Sequence, residues 1–480
     1  MRPLEILLSL SLVVSVASLI FLPKSRPRFW IIWFGLILES LVQAALEGAH
    51  WQIIPLYLAV FLMGFPALPS QNSKARPAKL VIIGIFSLFA VAASVALSWL
   101  MPMFQLPKPT GPYAVGTKIL YLIDQNRPEE NGPSPSGKRE LMVQAWFPAE
   151  RPTSFPSLHL ANYQRLAEVT PRASYRSVLK TNSYLNATVR PGGPYPILIY
   201  NPSWMGERTE GTFQTEELAS HGFVVVAVDH TFFGGRVQFP DGRVSDSRGA
   251  PELGNFDHST AEEQAALGRK FVRIEAQDDS FVLDRLTAMN EDPSSPWFHR
   301  LDLSRVGALG FSIGGATAAQ FAYQDPRVKA ALNLDGWTFG DAGPHGISQP
   351  FMVIYEDKSL TLPSEAQLHS PSPAVRAFWQ FSQDDYDHVI DGLRNHGGYQ
   401  LFIAGTHHVD FTDRSLLSPL RKLTGGGVLD PVRAHIIMNA YTLAFFSHVL
   451  KGDPESLLQS NSSPYPEVEA HRFDPAAPQP

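Results

Sequence analysis

Ser312 stands between two glycines in the run Gly310-Phe311-Ser312-Ile313-Gly314. A serine hydroxyl is a weak nucleophile until a base takes its proton, so such a run implies acyl transfer only if a histidine and an acid lie further along the chain. Both do. Asp335 lies in Leu334-Asp335-Gly336-Trp337, a second acid pair stands at Glu356-Asp357, and His407 and His408 are adjacent in Gly405-Thr406-His407-His408-Val409-Asp410. The order serine, acid, histidine is that of an α/β-hydrolase chain, and the residue after the serine, Ile313, is positioned to offer a backbone N–H to a developing oxyanion. The residues alone leave open which acid and which histidine serve.

These groups need elements to carry them. Arg305 to Gly310 (RVGALG) is a short apolar run and predicts a buried parallel strand, while the small residues from Gly315 to Gln320 open a helix. Strand, tight turn and helix are the setting of a nucleophile elbow, where glycines let strand and helix approach closely. Strand-like runs at Lys329 to Leu334, Phe351 to Tyr355 and Gln400 to Ala404 precede the acids and histidines in turn. Catalytic groups collect at such strand ends in open α/β sheets. Upstream, Lys118 to Asp124, Glu140 to Phe147, Pro196 to Tyr200 and Phe223 to Val228 predict further strands. Helices are expected over Glu216 to Ser220, Thr260 to Asn290 and Pro431 to Leu450.

The ordered set resembles the plasma and intracellular type II platelet-activating-factor acetylhydrolases and their bacterial relatives. It comprises Gly310 to Thr317, Leu334 to Trp337 and Gly405 to Phe411, with Gly111 to Gly116, Glu217 to Val225 and Phe281 to Asp284, and spans about residues 111 to 450. The resemblance implies an α/β-hydrolase fold with a mostly parallel central sheet. It also implies a Ca²⁺-independent serine esterase removing short or oxidised acyl groups from phospholipids, with Ser312, Asp335 and His408 at the triad positions. By the same resemblance Trp204 supplies the second oxyanion N–H. Its loop departs from the usual pattern, reading Asn201-Pro202-Ser203-Trp204 where relatives carry a His-Gly pair. Phe232-Phe233, Trp204, Trp337 and Ala377-Phe378-Trp379 are candidate apolar walls for an acyl chain. The same motifs also suit a carboxylesterase, a polyester hydrolase or a peptidase, and a catalytically silent binding ectodomain is the alternative from another class.

The 480 residues are unevenly composed. Four apolar runs, Leu4 to Leu22, Phe29 to Leu46, Ile53 to Leu68 and Leu80 to Met103, each approach the roughly 20 residues that cross a bilayer. Lys24, Arg26 and Arg28 come after the first run, and Lys74, Arg76 and Lys79 after the third. Positive charge thus alternates as a four-span topology requires, with the chain beyond Met103 on the outer side. Glu39 is a carboxylate within the second run, read as a packing residue. The expected organisation is a transmembrane helical region over 1–104, a catalytic domain over 105–458 and a disordered tail over 459–480.

With a net charge of −6, and seven cations against three acids in residues 1–104, the remainder carries −10. An acidic domain without a basic stripe argues against nucleic-acid binding. The chain has no cysteine, which excludes disulfides and thiolate chemistry. No cluster implies a metal or an organic cofactor. The expected partners are an ester or phospholipid substrate and the bilayer. Asn186-Ala187-Thr188 and Asn461-Ser462-Ser463 are sequons.

Overall fold

The computed structural model describes residues 1–21, 29–64, 76–132, 137–153, 160–162, 178–245, 260–454, 456–459 and 463–475. The basic residues Lys24, Arg26, Arg28 and Lys74 and the sequon residues Asn461 and Ser462 lie outside these ranges. Two compact units are present. One comprises Met1–Gln105 with Asn162–Lys180 and Leu416–Leu420; the other comprises Leu106–Ala161, Thr181–Ser415 and Arg421–Pro480.

The first unit is helical, with helices Pro3–Phe21, Phe29–Leu46, Ile54–Leu62 and Arg76–Leu100. Leu8, Leu12, Leu36, Leu56, Val60 and Ala90 draw side chains from all four into one buried cluster. Their outward faces are apolar as well: Ile31, Leu38, Ile82, Ile85 and Phe89 are each more than 60 % exposed. Among the described residues two helices are long and apolar enough to cross a membrane, Phe29–Leu46 and Val81–Leu100. The third apolar run falls short of the span expected for it, because Pro55 opens its helix and the helix ends at Leu62. Glu39 accepts a hydrogen bond from the Ser11 hydroxyl at 3.2 Å.

The second unit is built on strands β1 (Ala114–Pro128), β2 (Lys138–Ala149), β3 (Leu160–Asn162), β4 (Lys180–Leu185), β5 (Tyr195–Asn201) and β6 (Val224–Asp229). It continues with a small hairpin of β7 (Val237–Gln238) and β8 (Val244–Ser245), then β9 (Leu301–Phe311), β10 (Val328–Leu334), β11 (Phe351–Tyr355), β12 (Gly398–Ile403) and β13 (Val468–Phe473). Eleven strands form one mixed sheet in the order β13-β12-β11-β10-β9-β5-β6-β2-β1-β4-β3. From β12 across to β6 all neighbours are parallel. β2 runs antiparallel to both β6 and β1. The central strands β5, β6 and β11 are buried along their whole length, which is why they read as unbroken apolar runs rather than alternating ones.

Helix Ala261–Glu291 begins at a capping box formed by Thr260 and Glu263. Helix Thr212–Ser220 starts a turn earlier than expected, and helix Pro431–Phe446 continues as a π turn to Lys451, ahead of a short helix Ser456–Gln459. Several elements, β4 and the β7–β8 hairpin among them, have no counterpart among the expected ones, and two of these matter most for the site and the sheet edge. Helix Pro373–His396 is one, with aromatic and charged residues mixed along it. The other is β13, which corrects the expectation of a disordered tail: residues 468–473 pair antiparallel with all of β12 from Gly398 to Ile403. Backbone pairing stabilises β13 although four of its six side chains are exposed, so composition carries no sign of it.

Candidate active site

Ser312 leaves β9 and enters helix Ile313–Gln324 with φ 57° and ψ −125°, a conformation that L residues rarely adopt. The turn is held because its surroundings leave no alternative. A Cβ on Gly310 would lie 2.1 Å from the Gly314 carbonyl oxygen, and one on Gly314 would lie 2.1 Å from that of Asn201. The Ser312 N–H donates to the Leu334 carbonyl at 2.8 Å, which ties the turn to the end of β10. Asp335 comes immediately after β10, also at positive φ (56°), with its own N–H donated to the Ile354 carbonyl of β11 at 2.8 Å.

The loop after β12 brings His408 to both. Its Nδ1 lies 2.6 Å from Asp335 Oδ2 and its Nε2 lies 3.0 Å from Ser312 Oγ. Residues 73 and 96 positions away in sequence thus converge on one imidazole. The Asp335 side chain is buried, and its second oxygen, Oδ1, accepts the Glu356 backbone N–H at 2.8 Å. The His408 ring packs against Phe311 at 4.6 Å. Such a chain can pass the hydroxyl proton to Nε2 while the carboxylate holds Nδ1–H and balances the imidazolium.

Of the alternatives left open by the sequence, Asp357 turns to the Gly405 N–H and to Ser359. The backbone N–H of His407 donates to Asp410. Glu356 lies close by without being the acid that holds Nδ1.

Ile313 opens its helix, so its N–H is one of those without an intrahelical acceptor. Ile313, Trp204 and Ser312 line the same pocket. The loop bearing Trp204 is fixed from beneath. The Ser203 N–H bonds to Glu210 Oε1, and the Ser203 hydroxyl donates to Glu210 Oε2 at 2.8 Å. Asn201 donates to Asp279 Oδ2 at 2.9 Å and has His230 Nε2 2.8 Å from its Oδ1, while His230 Nδ1 lies 3.0 Å from Asp278. This buried network lies where the loop departs from the His-Gly pattern. Beyond the loop itself, its members Glu210, His230, Asp278 and Asp279 do not stand out in the sequence, since groups that the fold brings together from separate elements carry no spacing signal of their own.

The electrostatics reflect these contacts. Burial pulls the His408 pKa down, but the Asp335 hydrogen bond and the negative charges of Asp335, Glu356 and Glu210 outweigh it and leave the group above its ordinary value. Glu356 is pushed up to about 8, first by burial and then by the like charge of Asp335.

The pocket encloses about 300 Å³ and is walled by Trp204, Trp337, Phe339, Tyr355, Phe378 and Trp379. Of the candidate acyl walls, Phe233 lies instead in a cluster with Phe271 and Ile313, and Phe232 lines a separate cavity. Among the described residues no group of His, Asp and Glu is arranged to hold a metal ion.

Fold and hydrogen-bonded site together define an α/β-hydrolase. The structure superposes on a ferulic acid esterase from Streptomyces cinnamoneus with a TM-score of 0.59 and 29 % identity, covering 76 % of this chain and 98 % of that one. Residues 100–236 and 297–462 match the family described as platelet-activating factor acetylhydrolase, isoform II, and the chain belongs to that family. It is a carboxylic ester hydrolase. Residues 182–358 also match the dienelactone hydrolase family. A probable 1-alkyl-2-acetylglycerophosphocholine esterase of Arthroderma benhamiae is 24 % identical over 79 % of this chain and 97 % of its own length. A platelet-activating factor acetylhydrolase of Cavia porcellus is 23 % identical over 75 % and 84 % respectively.

Proposed function

We propose that this chain is a membrane-anchored serine esterase that removes short or oxidised acyl groups from phospholipids through an acyl-enzyme. The observation that carries the proposal is the unbroken hydrogen-bonded chain Asp335–His408–Ser312 at the mouth of an apolar pocket. In this reading His408 Nε2 takes the Ser312 proton as Oγ attacks the ester carbonyl. The N–H groups of Ile313 and Trp204 hold the oxyanion, His408 returns the proton to the departing alcohol, and water repeats the sequence to release the acid. Asp335 orients the ring throughout.

The N-terminal helices serve as the anchor, with the catalytic unit from about residue 105 on the extracytoplasmic side. The outward apolar faces of that helical unit and its two span-length helices support this. Phospholipid as substrate is supported by family membership and by the names of the two relatives.

The test is p-nitrophenyl acetate turnover by the full chain in detergent, with Ser312→Ala as control. Turnover falling to background in the variant is expected, and equal rates in both proteins reject the mechanism. A second reading, an esterase for non-lipid esters, draws on the likeness to the ferulic acid esterase. Comparing kcat/KM for a short-acyl phospholipid and for methyl ferulate separates the two.

A further inference from the structure

His230 follows β6 directly and is buried, with an oxygen set against each ring nitrogen. Nδ1 lies 3.0 Å from Asp278 Oδ2 and Nε2 lies 2.8 Å from Asn201 Oδ1. A neutral imidazole has one N–H and one bare nitrogen, so it suits one acceptor and one donor. His230 meets an acceptor on both sides. Asp278 takes two N–H groups from Arg139, at 3.0 and 2.5 Å, and one from Arg127 at 2.5 Å. Burial works against its charge, but the Arg139 guanidinium overrides burial and holds the carboxyl far below the usual carboxylate range, so it has no proton to give Nδ1. On the other side the Asn201 amide nitrogen donates to Asp279 Oδ2 at 2.9 Å, which turns the amide oxygen toward Nε2. Both ring nitrogens are therefore donors.

The charges around the ring agree. Glu275, Asp278 and Asp279 are buried on one face of helix Ala261–Glu291 and surround it with negative charge. The nearby cations are Arg127 of β1 and Arg139 of β2, both paired with Asp278, and Arg139 also pairs with Glu129. Burial pulls the His230 pKa down, but Glu275, the Asp278 hydrogen bond and the charges of Asp278 and Asp279 outweigh it and leave the ring above its ordinary value.

What the ring holds is the root of the Trp204 loop. Asn201 ends β5, pairs with Gly310 of β9 and passes directly into Pro202-Ser203-Trp204. Helix Ala261–Glu291 reaches the other side of the site as well. Thr317, one turn into the helix that Ile313 opens, donates its hydroxyl to Glu275 at 2.5 Å. The two segments bearing the proposed oxyanion N–H groups are thus tied to one buried face of acids, the Trp204 segment through Asn201.

We infer that His230 is an imidazolium in the folded enzyme and is the positioning residue that, through Asn201, holds the Trp204 N–H in place for the oxyanion. The inference rests on the esterase reading above and adds a residue to the machinery of that site.

Two measurements need no catalysis. In the full-length protein labelled with [15N]histidine, with the His230 signals assigned by their loss in His230→Gln, both ring nitrogens are expected to carry protons at about pH 7.5, above the ordinary histidine value of about 6.5. A bare ring nitrogen at that pH overturns the inference, because it means that the Asn201 amide is turned over and the proton sits on Asp279. Hydrogen exchange over residues 201–205, read by mass spectrometry, is expected to be about tenfold faster in His230→Gln and in Asn201→Ala than in the wild type; unchanged exchange in both overturns the positioning role. In turnover of p-nitrophenyl acetate, His230→Ala is expected to lose about 10- to 100-fold in kcat with KM within about twofold, and His230→Gln to lose less because its amide still donates to Asn201. A kcat that stays at the wild-type value in His230→Ala, or a loss that appears in KM instead, also overturns it. Wild-type turnover no faster than that of Ser312→Ala counts against the esterase reading, whereas turnover indifferent to His230 counts against the positioning role alone.

Discussion

At Ser312 the backbone is held at φ 57° for the sake of the hydroxyl's position, and the conformation itself is costly. Removing the hydroxyl with alanine keeps that cost; removing it with glycine relieves it. Ser312→Gly is therefore expected to melt higher than Ser312→Ala, by about 1 kcal/mol or more, with both inactive. Identical melting temperatures would show that the turn is relaxed. At His408 the sign of the pH effect is set by its partner. In the proposed mechanism activity requires neutral imidazole, and Asp335 favours the charged form, so the acidic limb of the rate profile is expected above the usual histidine value of about 6.5. Asp335→Asn should lower kcat by about 10⁴-fold and move that limb to lower pH; a limb that stays in place would mean another acid holds the ring. That Ser312, Asp335 and His408 stand beyond the ends of strands was legible because each follows an apolar strand-like run, and their assignment as a triad is part of the proposal. The roles of Glu210, Asn201 and His230 were not legible, because they depend on what the fold brings beside them.

At the scale of elements, the loop carrying Trp204 depends on Glu210, whose carboxylate holds both the N–H and the hydroxyl of Ser203. Glu210→Ala frees that loop, and kcat is expected to fall about 10- to 100-fold with KM little changed if the loop supplies an oxyanion donor as proposed, because such a donor matters most when charge develops. Glu210→Gln keeps an acceptor for the N–H and should recover most of the rate. A KM effect equal to the kcat effect would instead place the loop in ground-state binding. Fully buried strands were readable as apolar runs. Helix Pro373–His396 carries the apolar periodicity of a helix in Val375, Phe378, Tyr386, Val389, Ile390 and Leu393, so it was open to the same reading, with the buried Ser382 and Asp385 interrupting the stripe. β13 was missed because its stability comes from pairing with β12 and not from its side chains.

Across the whole molecule, several buried acids have been pushed upward chiefly by burial: Glu216 and Asp279 to about 7 and Glu356 to about 8. A folded state that keeps protons the unfolded chain has lost is stabilised below the unfolded pKa, near 4, and loses that advantage as pH rises through 7 to 8. His408 and His230, both raised, act in the same direction above about 6.5. His435, lowered to about 4, opposes them only below that point. The melting temperature is accordingly expected to fall from about pH 5 to 8, with the share of Glu216 lost between about pH 4.5 and 7 and missing in Glu216→Gln; parallel slopes over about pH 5 to 7 in variant and wild type would remove Glu216 from the account. The division into an apolar helical unit and an acidic α/β unit was plain in composition, whereas the length of the third helix was not, since an apolar run does not show where its helix stops.

The pocket has one wall that cannot yield and one that can. On the nucleophile side, Gly314 is pressed against the Asn201 carbonyl and the loop beneath it is locked into buried charge. The opposite side is a single helix whose cavity-facing residues include the exposed Phe378 and half-buried Trp379. Diversification of substrate range, in nature or in a laboratory library, should therefore accumulate along one side of the cleft. Saturation at positions 378, 379 and 382 is the economical place to begin re-engineering this enzyme, and comparable changes around 201–204 should yield mostly dead protein.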